Sequence, residues 1–542
     1  VGLRGDHGAN RLVDRRIDGA DSARYPAHAC NLINAGNAGK AGKAGKAGSK
    51  GSTRTARPES GDDIVARRRP VDGQRDSNME SFTLFSQVAL VLSIPVSISL
   101  FFVFRPQRAA LITILAGDMF LPEVVNFKFP LLPPLEKHNI PYLCVLIGCL
   151  LRRPALVTAV CKERWFLVLA LCLVVGGVLT GLTNGMPVMV RHFHPPIAGI
   201  HLTDGLYSAA VFTCLISIPF YIGWALFRKE SDFRAMLVAL VIAALIYAPF
   251  AAFEMRMSPN LHLWVYGYSQ HDFSQTVREG GYRPMVFMTH GLSLARFFFV
   301  GTCSAFILGR VGTKIFGMQA KWLGWFLLLV LIFCRSFGAI MFAGLAVPLL
   351  LWSKPRLHVR IALILAVLVG LYPLLRTWEL VPTEHILNTV RAIAGEDRTE
   401  SLEFRFFNEN LLLEKARQHL LFGWGQYGRN FAPRGWDGQA VADGYWVIQI
   451  GIMGLVGFIT TFGPMLIPLI FMQSRLKAVV SEPQRVLLGG VALMLGLVAL
   501  DWVPNGLFSP YPYMMVGALA GATREFPEAP PEAVAVAWVP AA

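Results

Sequence analysis

The sequence predicts an all-α polytopic membrane protein of about 12–13 transmembrane helices with one large polar loop on the outer face. Three observations lead there. The chain is 54% hydrophobic with a mean hydropathy of +0.48 over 542 residues, above the roughly 45–50% apolar content of soluble domains. Its apolar residues gather in blocks of about 15–25, the length that crosses a hydrocarbon core of about 30 Å. Basic residues collect in alternate short loops between the blocks, as membrane insertion dictates.

The apolar blocks read as spans at 82–104, 109–121, 140–151, 165–182, 205–227, 233–253, 286–309, 321–334, 336–352, 359–375, 444–471, 484–501 and 510–522. The shortest, 140–151 and the pair meeting at Cys334-Arg335, suit tilted or broken helices sheltered inside the protein. Arg105/Arg108, Arg152/Arg153/Lys162/Arg164, Arg228/Lys229/Arg234, Arg310/Lys314/Lys321, Lys354/Arg356/Arg360 and Arg475/Lys477/Arg485 follow the odd-numbered spans. The positive-inside rule makes those loops cytoplasmic, and the loops at 183–204, 254–285 and 376–443 face outward.

The chain divides into a low-complexity tail (1–78), a bundle (79–375), a polar loop (376–443), further spans (444–523) and a second tail (524–542). The first tail carries the period-three run from Asn37 to Ser49 and few large apolar side chains. Such a segment buries too little surface to offset chain entropy. Met79 precedes the first apolar block, which suggests a start there; no signal-peptide cleavage pattern is evident.

The formal charge is +15, but the excess lies in short loops and the first tail. No basic face with interleaved aromatics is present, so a nucleic-acid partner is not expected. The eight cysteines show no CxxC and no paired spacing, and read as packing residues. His192, His194 and His201 share a loop, but Pro195-Pro196 and the lack of nearby cysteines or paired carboxylates leave no metal-site pattern. No phosphate-loop, dinucleotide or zinc-protease motif occurs. Neither metal nor cofactor is expected.

Chemistry points to the polar loop. A long polar segment between spans is uncommon, and such loops carry function. It holds Arg405, Glu409, Lys415, Arg417, Arg429, Arg434 and Asp443. Two other places share its face: Arg278–His290, with Arg283 just before a span and His290 just inside it, and Arg335-Ser336 between two apolar runs. An arginine at membrane depth costs at least a few kcal/mol unless paired or wet. Guanidinium suits a diphosphate, because its planar fork donates two parallel hydrogen bonds and stays charged. Each arginine taken alone reads equally as an interfacial anchor or an ion-pair member. Asp443 reads as a helix cap or as a group that orients or deprotonates an acceptor hydroxyl. Glu409 and Lys415 fall on an expected helix at 401–420, where such pairs solvate a face; His419 reads as structural.

The order of these motifs resembles the O-antigen ligase / O-antigen polymerase family. The resemblance rests on Arg405, then Leu411–Ala416, then His419-Leu-Leu-Phe-Gly-Trp-Gly425, then Asp443-Gly-Tyr-Trp446 leading into Gly451-Ile-Met-Gly454. It extends to Arg283-Pro284 through His290-Gly291 and to Arg335-Ser336, covering roughly 270–460. Where the family has His-Asn, this chain has Asp443-Gly444, and Leu420 stands where the family has proline.

The resemblance implies a GT-C-like fold with a large periplasmic loop in the bacterial inner membrane. It implies a metal-independent glycosyltransferase drawing on an undecaprenyl-diphosphate-linked glycan and delivering it to an acceptor glycan. The departures at Asp443 and Leu420 suit an exopolysaccharide polymerase-like branch. The residues implied are Arg405, Glu409 and Asp443 for catalysis and Arg283, Arg335, Arg405 and Arg429 for the diphosphate. A flippase and a chain-length regulator are the protein partners such an enzyme would have. The alternative is a transporter or flippase for a lipid-linked or small solute, to which Asp118 and Asp501 near span ends would supply ion coupling.

Overall fold

A computed structural model describes residues 83–526, apart from 130–131, 160, 192–193, 279 and 437. The 1–78 tail, Met79, His192 and residues 527–542 lie outside the described residues. Every expected span coincides with a helix. In order, these are α1 (Leu84–Val103), α2 (Pro106–Phe120), α3 (Ile140–Arg152), a short α4 (Pro154–Val157) and α5 (Arg164–Thr183). Then come α6 (Leu202–Phe212), α7 (Ile218–Leu226), α8 (Glu230–Met257), a short α9 (Leu261–Tyr266), α10 (Gly291–Arg310), α11 (Ala320–Phe333), α12 (Phe337–Trp352) and α13 (Pro355–Thr377). The polar loop holds α14 (Thr383–Ala394) and α15 (Glu396–Arg417), followed by α16 (Tyr445–Ala478), α17 (Glu482–Asp501) and α18 (Tyr511–Glu525).

Eight of the helices, counting α6 and α7 as one span, are long and apolar enough to cross a membrane; α3, α11 and α12 are shorter apolar helices. The molecule is a polytopic membrane protein. α6 passes into α7 through a π-helical segment, Thr213–Ser217. Pro219 follows it at the start of α7, where a missing N–H is tolerated. Three expectations shift. The expected 401–420 helix begins earlier, at Glu396. The expected 286–309 span begins at Gly291, with His290 as its N-cap accepting Leu292 N–H on Nδ1 at 3.0 Å. α18 runs through Glu525, past the boundary expected at 524.

The interior is aromatic and tight. Trp224, Trp446, Trp502, Tyr247, Tyr445 and Tyr513 are fully buried. α7 and α18 cross backbone to backbone. A Cβ on Gly223 would meet Met514 O at 1.9 Å, and one on Gly517 would meet Phe220 O at 2.0 Å. Small residues permit this approach, which replaces hydrophobic driving force with packing inside a bilayer. The outer helices do the opposite: Leu92, Val168, Leu171, Leu329, Met341 and Ile364 stand exposed, as in a lipid-facing belt.

The connections gather at two ends. At one, Glu163 is held by Arg475 at 3.0 Å and by Arg524. There too Arg228 pairs with Glu525 at 3.0 Å, Gln484 meets Glu230 at 2.9 Å and Arg310 meets Ser353 O at 2.6 Å. These are the basic loops of the charge alternation. At the opposite end Lys137 reaches Phe287 O, Arg283 reaches Arg335 O, Arg429 reaches Met186 O and Arg405 Nη1 lies 3.5 Å from Pro504 O.

Candidate functional site

The polar loop owes its shape to one docking. α16 is broken inside, at Met453 (φ −126°, ψ 15°) and Gly454 (φ 66°, ψ −156°). The Phe422-Gly-Trp-Gly425 turn fills the break. Trp424 N–H and Gly425 N–H donate to Gly451 O and Ile452 O at 2.8 and 2.9 Å. Leu455 N–H and Val456 N–H donate back to Leu420 O and Leu421 O at 2.8 and 3.3 Å. These four bonds satisfy backbone groups that the break frees, the condition for irregular chain within a bundle,. Gly423 and Gly454 have no room for a Cβ: one would lie 2.5 Å from Ile452 C, the other 2.3 Å from Leu421 C. The two glycine motifs are the halves of one joint.

The cations of the loop then separate into two groups. Arg429, 1% exposed, spends its guanidinium on five carbonyls. Nε donates to Trp424 O, Nη1 to Ile197 O and Ala198 O, and Nη2 to Asn184 O and Met186 O, at 2.6–3.4 Å. It ties the 183–201 loop to the turn and has no donor left for a diphosphate, so its expected substrate role is withdrawn. Lys415 donates to Phe431 O and lies 5.1 Å over the Trp424 ring. Burial, with Arg429 nearby, brings its ammonium down to about 8. Arg434 lies over Phe404 at 4.5 Å, and Arg417 meets Thr377 O at 2.9 Å. His419 stacks on Trp424 with centroids 3.9 Å apart.

Arg405, Glu409 and Asp443 are brought together. α15 presents Leu402, Arg405, Phe406, Glu409 and Leu412 along one stripe, the i, i+3, i+4, i+7 pattern of a single helix face. With Tyr372, Val441, Asp443, Gly444, Val447, Val503 and Pro504, that stripe lines a cleft. Arg405 Nε lies 3.6 Å from Asp443 Oδ2, with 34% and 28% of the two side chains exposed. Burial pushes the Asp443 carboxyl up, and Arg405 draws it part of the way back.

Asp443 is not a cap. The N-cap of α16 is Gly444, which receives no side-chain bond, and the first helical amide, Tyr445 N–H, goes to Trp502 O at 3.0 Å. A Cβ on Gly444 would lie 2.4 Å from Val503 O, so this backbone admits only glycine there.

Glu409 faces the same cleft but is engaged throughout. Arg376 Nε donates to it at 2.8 Å, Trp446 Nε1 at 2.9 Å and Tyr372 Oη at 3.4 Å. With Arg376 only 5% exposed, the pair fixes α15 against α13 and α16. Glu409 therefore positions Arg405 one turn away, with most of its acceptor capacity already taken by three donors,.

Arg283 and Arg335 meet at the same end of the bundle. Arg283 is 6% exposed, and its Nη2 donates to Arg335 O at 3.1 Å. Arg335 occupies the left-handed region (φ 52°) between α11 and α12, a conformation that costs a non-glycine residue energy and is kept where structure or function requires it. Its guanidinium rests on Gly281, where a Cβ would meet Nη2 at 2.4 Å. The 285–288 segment beside Arg283 is held by buried polar groups. Glu254 accepts Met285 and Val286 N–H at 2.8 and 2.7 Å. Lys137 Nζ, paired with Glu123 at 2.9 Å, donates to Phe287 O at 2.5 Å.

Between the arginine pair and the cleft lies Arg296, which the sequence reading passed over inside an apolar block. It is 3% exposed, 3.4 Å from Asp501 and bonded to Leu507 O at 2.7 Å. It lines a pocket with Ser336, Phe342 and Asp501. Asp501 accepts from Asn505 at 2.7 Å, and neighbouring Pro504 O lies 3.5 Å from Arg405 Nη1. A lone Arg within an apolar run was the sequence signal for this link. Among the described residues, no group of three or more His, Cys, Asp or Glu is placed to hold a metal ion. Compared with protein families, curated proteins and solved structures, the chain matches none.

Proposed function

We propose that the protein is a membrane-embedded glycosyltransferase acting at the bundle end that carries Arg283, Arg335, Arg405 and Asp443. In this reading that end is periplasmic, in a bacterial inner membrane. The donor is a glycan on undecaprenyl diphosphate and the product is a polymerised or ligated surface or exopolysaccharide. The observation that carries the reading is the Arg405–Asp443 pair, a fixed cation beside a partly desolvated carboxylate in an accessible cleft.

The chemistry follows from those groups. The bond from the sugar C1 to the phosphate oxygen breaks, and the diphosphate leaves with the electron pair. An acceptor hydroxyl oxygen bonds to C1 and gives its proton to the Asp443 carboxylate. Arg283, Arg335 and Arg405 stabilise the developing phosphate charge, where scarce water makes fixed donors effective. A carboxylate suffices as base when the hydroxyl loses its proton late. The resemblance to the O-antigen ligase / O-antigen polymerase family supports the same assignment.

A second reading, transport of a lipid-linked or small solute, has one observation in its favour: the Arg296–Asp501 pair buried within the bundle, a common mark of an ion path. Reconstitution in liposomes with lipid-diphosphate-linked oligosaccharide separates the two. Elongated glycan with wild type, and about 100-fold less or lower still with Arg405→Ala, is the expected result. Solute or lipid movement across the bilayer without glycan elongation establishes transport instead.

A further inference from the structure

We infer that α14 lies in the lipid headgroup layer, with its apolar face on the bilayer and its polar face in water. The helix sorts its residues by side. Ile386, Leu387, Val390 and Ile393 fall on one arc at 100° per residue, while Glu384, His385, Asn388 and Arg391 fall on the other. Ile393 is 75% exposed, while Ile386, Leu387 and Val390 are half-buried and keep part of their surface open. A helix fully covered by its own chain would close that arc.

The chain's reach supplies the occupant. Membrane-crossing α13 ends at Thr377 and α14 starts at Thr383. Five intervening residues extend at most about 17 Å, so α14 stays near the surface from which α13 emerges. In that link Trp378, a residue type that settles at membrane interfaces, is 65% exposed, and Leu380 is 61% exposed. On the other side, Arg391 pairs with Glu396 at 2.9 Å with both side chains about half exposed, as expected in water. The face carries no cluster of cations, so a zwitterionic surface is sufficient.

The consequence reaches the cleft. Gly395 (φ 83°, ψ 176°) ends α14 and opens α15. α15 carries Arg405 and Glu409, so the bilayer surface sets the height of the cleft above the lipid. This inference requires only that α13 spans the membrane, not the glycosyltransferase reading.

The test uses the unmodified full chain in phosphatidylcholine liposomes containing a phosphatidylcholine with a photoactivatable acyl chain, followed by peptide mapping. Lipid adducts are expected on Ile386, Val390 and Ile393 and not on His385 or Asn388. Exposed Ile364 and Leu368 of α13 serve as positive controls. An Ile386→Glu/Ile393→Glu variant is expected to lose the α14 adducts while retaining those on α13. Labelling of α13 with none on α14, equal labelling of both α14 faces, or crosslinks from α14 to a second copy or another protein would overturn the inference.

Discussion

Arg405 and Asp443 face each other across 3.6 Å with about a third of each side chain still exposed. An ion pair that open contributes at most about 1 kcal/mol to stability, so its placement asks for another explanation. Arg405→Ala and Asp443→Asn should each shift the melting midpoint by only a few degrees. Both should lower glycan transfer by about 100-fold or more, the range of a lost general base or charge-stabilising donor. Thermal melts and elongation assays on the same preparations check both parts, and an active Asp443→Asn would remove the proposed base.

Asp443 acts as a base only when ionised, and burial has raised its pKa. The rate should fall as pH drops through that raised value, at a higher pH than for an ordinary aspartate. Arg405→Gln removes the influence that lowers it and should move the acid limb of the residual rate further upward. A pH–rate profile of the two proteins reads this directly.

Arg376 and Glu409 form the opposite kind of pair, buried and hydrogen-bonded. Removing one partner leaves a buried charge, at a cost of about 3–5 kcal/mol. Glu409→Ala and Arg376→Ala should therefore melt well below wild type. The Arg376→Met/Glu409→Leu double variant should recover most of the loss, which a double-mutant cycle measures.

Lys415 titrates at about 8 when folded against 10.5 for the free side chain. Between those values the unfolded chain binds the extra proton, so stability rises with pH across that window and is flat below it. Relative to Lys415→Met, the wild type should gain stability from about pH 8 to 10.5, as followed by thermal unfolding.

Gly454→Ala must place a side chain at φ 66°, ψ −156°, a region open to glycine alone,. It must also push against Leu421. It should open the joint between α16 and the 420–425 turn and destabilise the fold by more than about 2 kcal/mol. Faster proteolysis within 418–440 is the companion readout.

Much of this was legible in the linear chain. Hydropathy placed a helix at every expected span, eight of them long and apolar enough to cross, because a segment crossing lipid must be apolar along its whole length, whatever its neighbours. The alternation of Arg and Lys gave the loops their ends for a similarly local reason. Arg405 and Asp443 drew notice because charge beside a membrane is costly. The sequence could not divide Arg405 from Arg429. Both are arginines in one polar loop; only the carbonyls of 184–198, more than two hundred residues upstream, occupy the second. Nor could it show that Arg296, inside an apolar block, meets Asp501.

The sequence by itself determined where the apolar helices lie and the loop in which charge accumulates, since both follow from transfer of each segment between water and lipid; it did not fix how many cross, eight being long and apolar enough where about 12–13 were expected. The tertiary structure alone decided which charges remain available. That depends on which backbone acceptors and counter-charges the folded chain brings within about 3 Å of each guanidinium, a property of contacts between distant segments and not of any one of them.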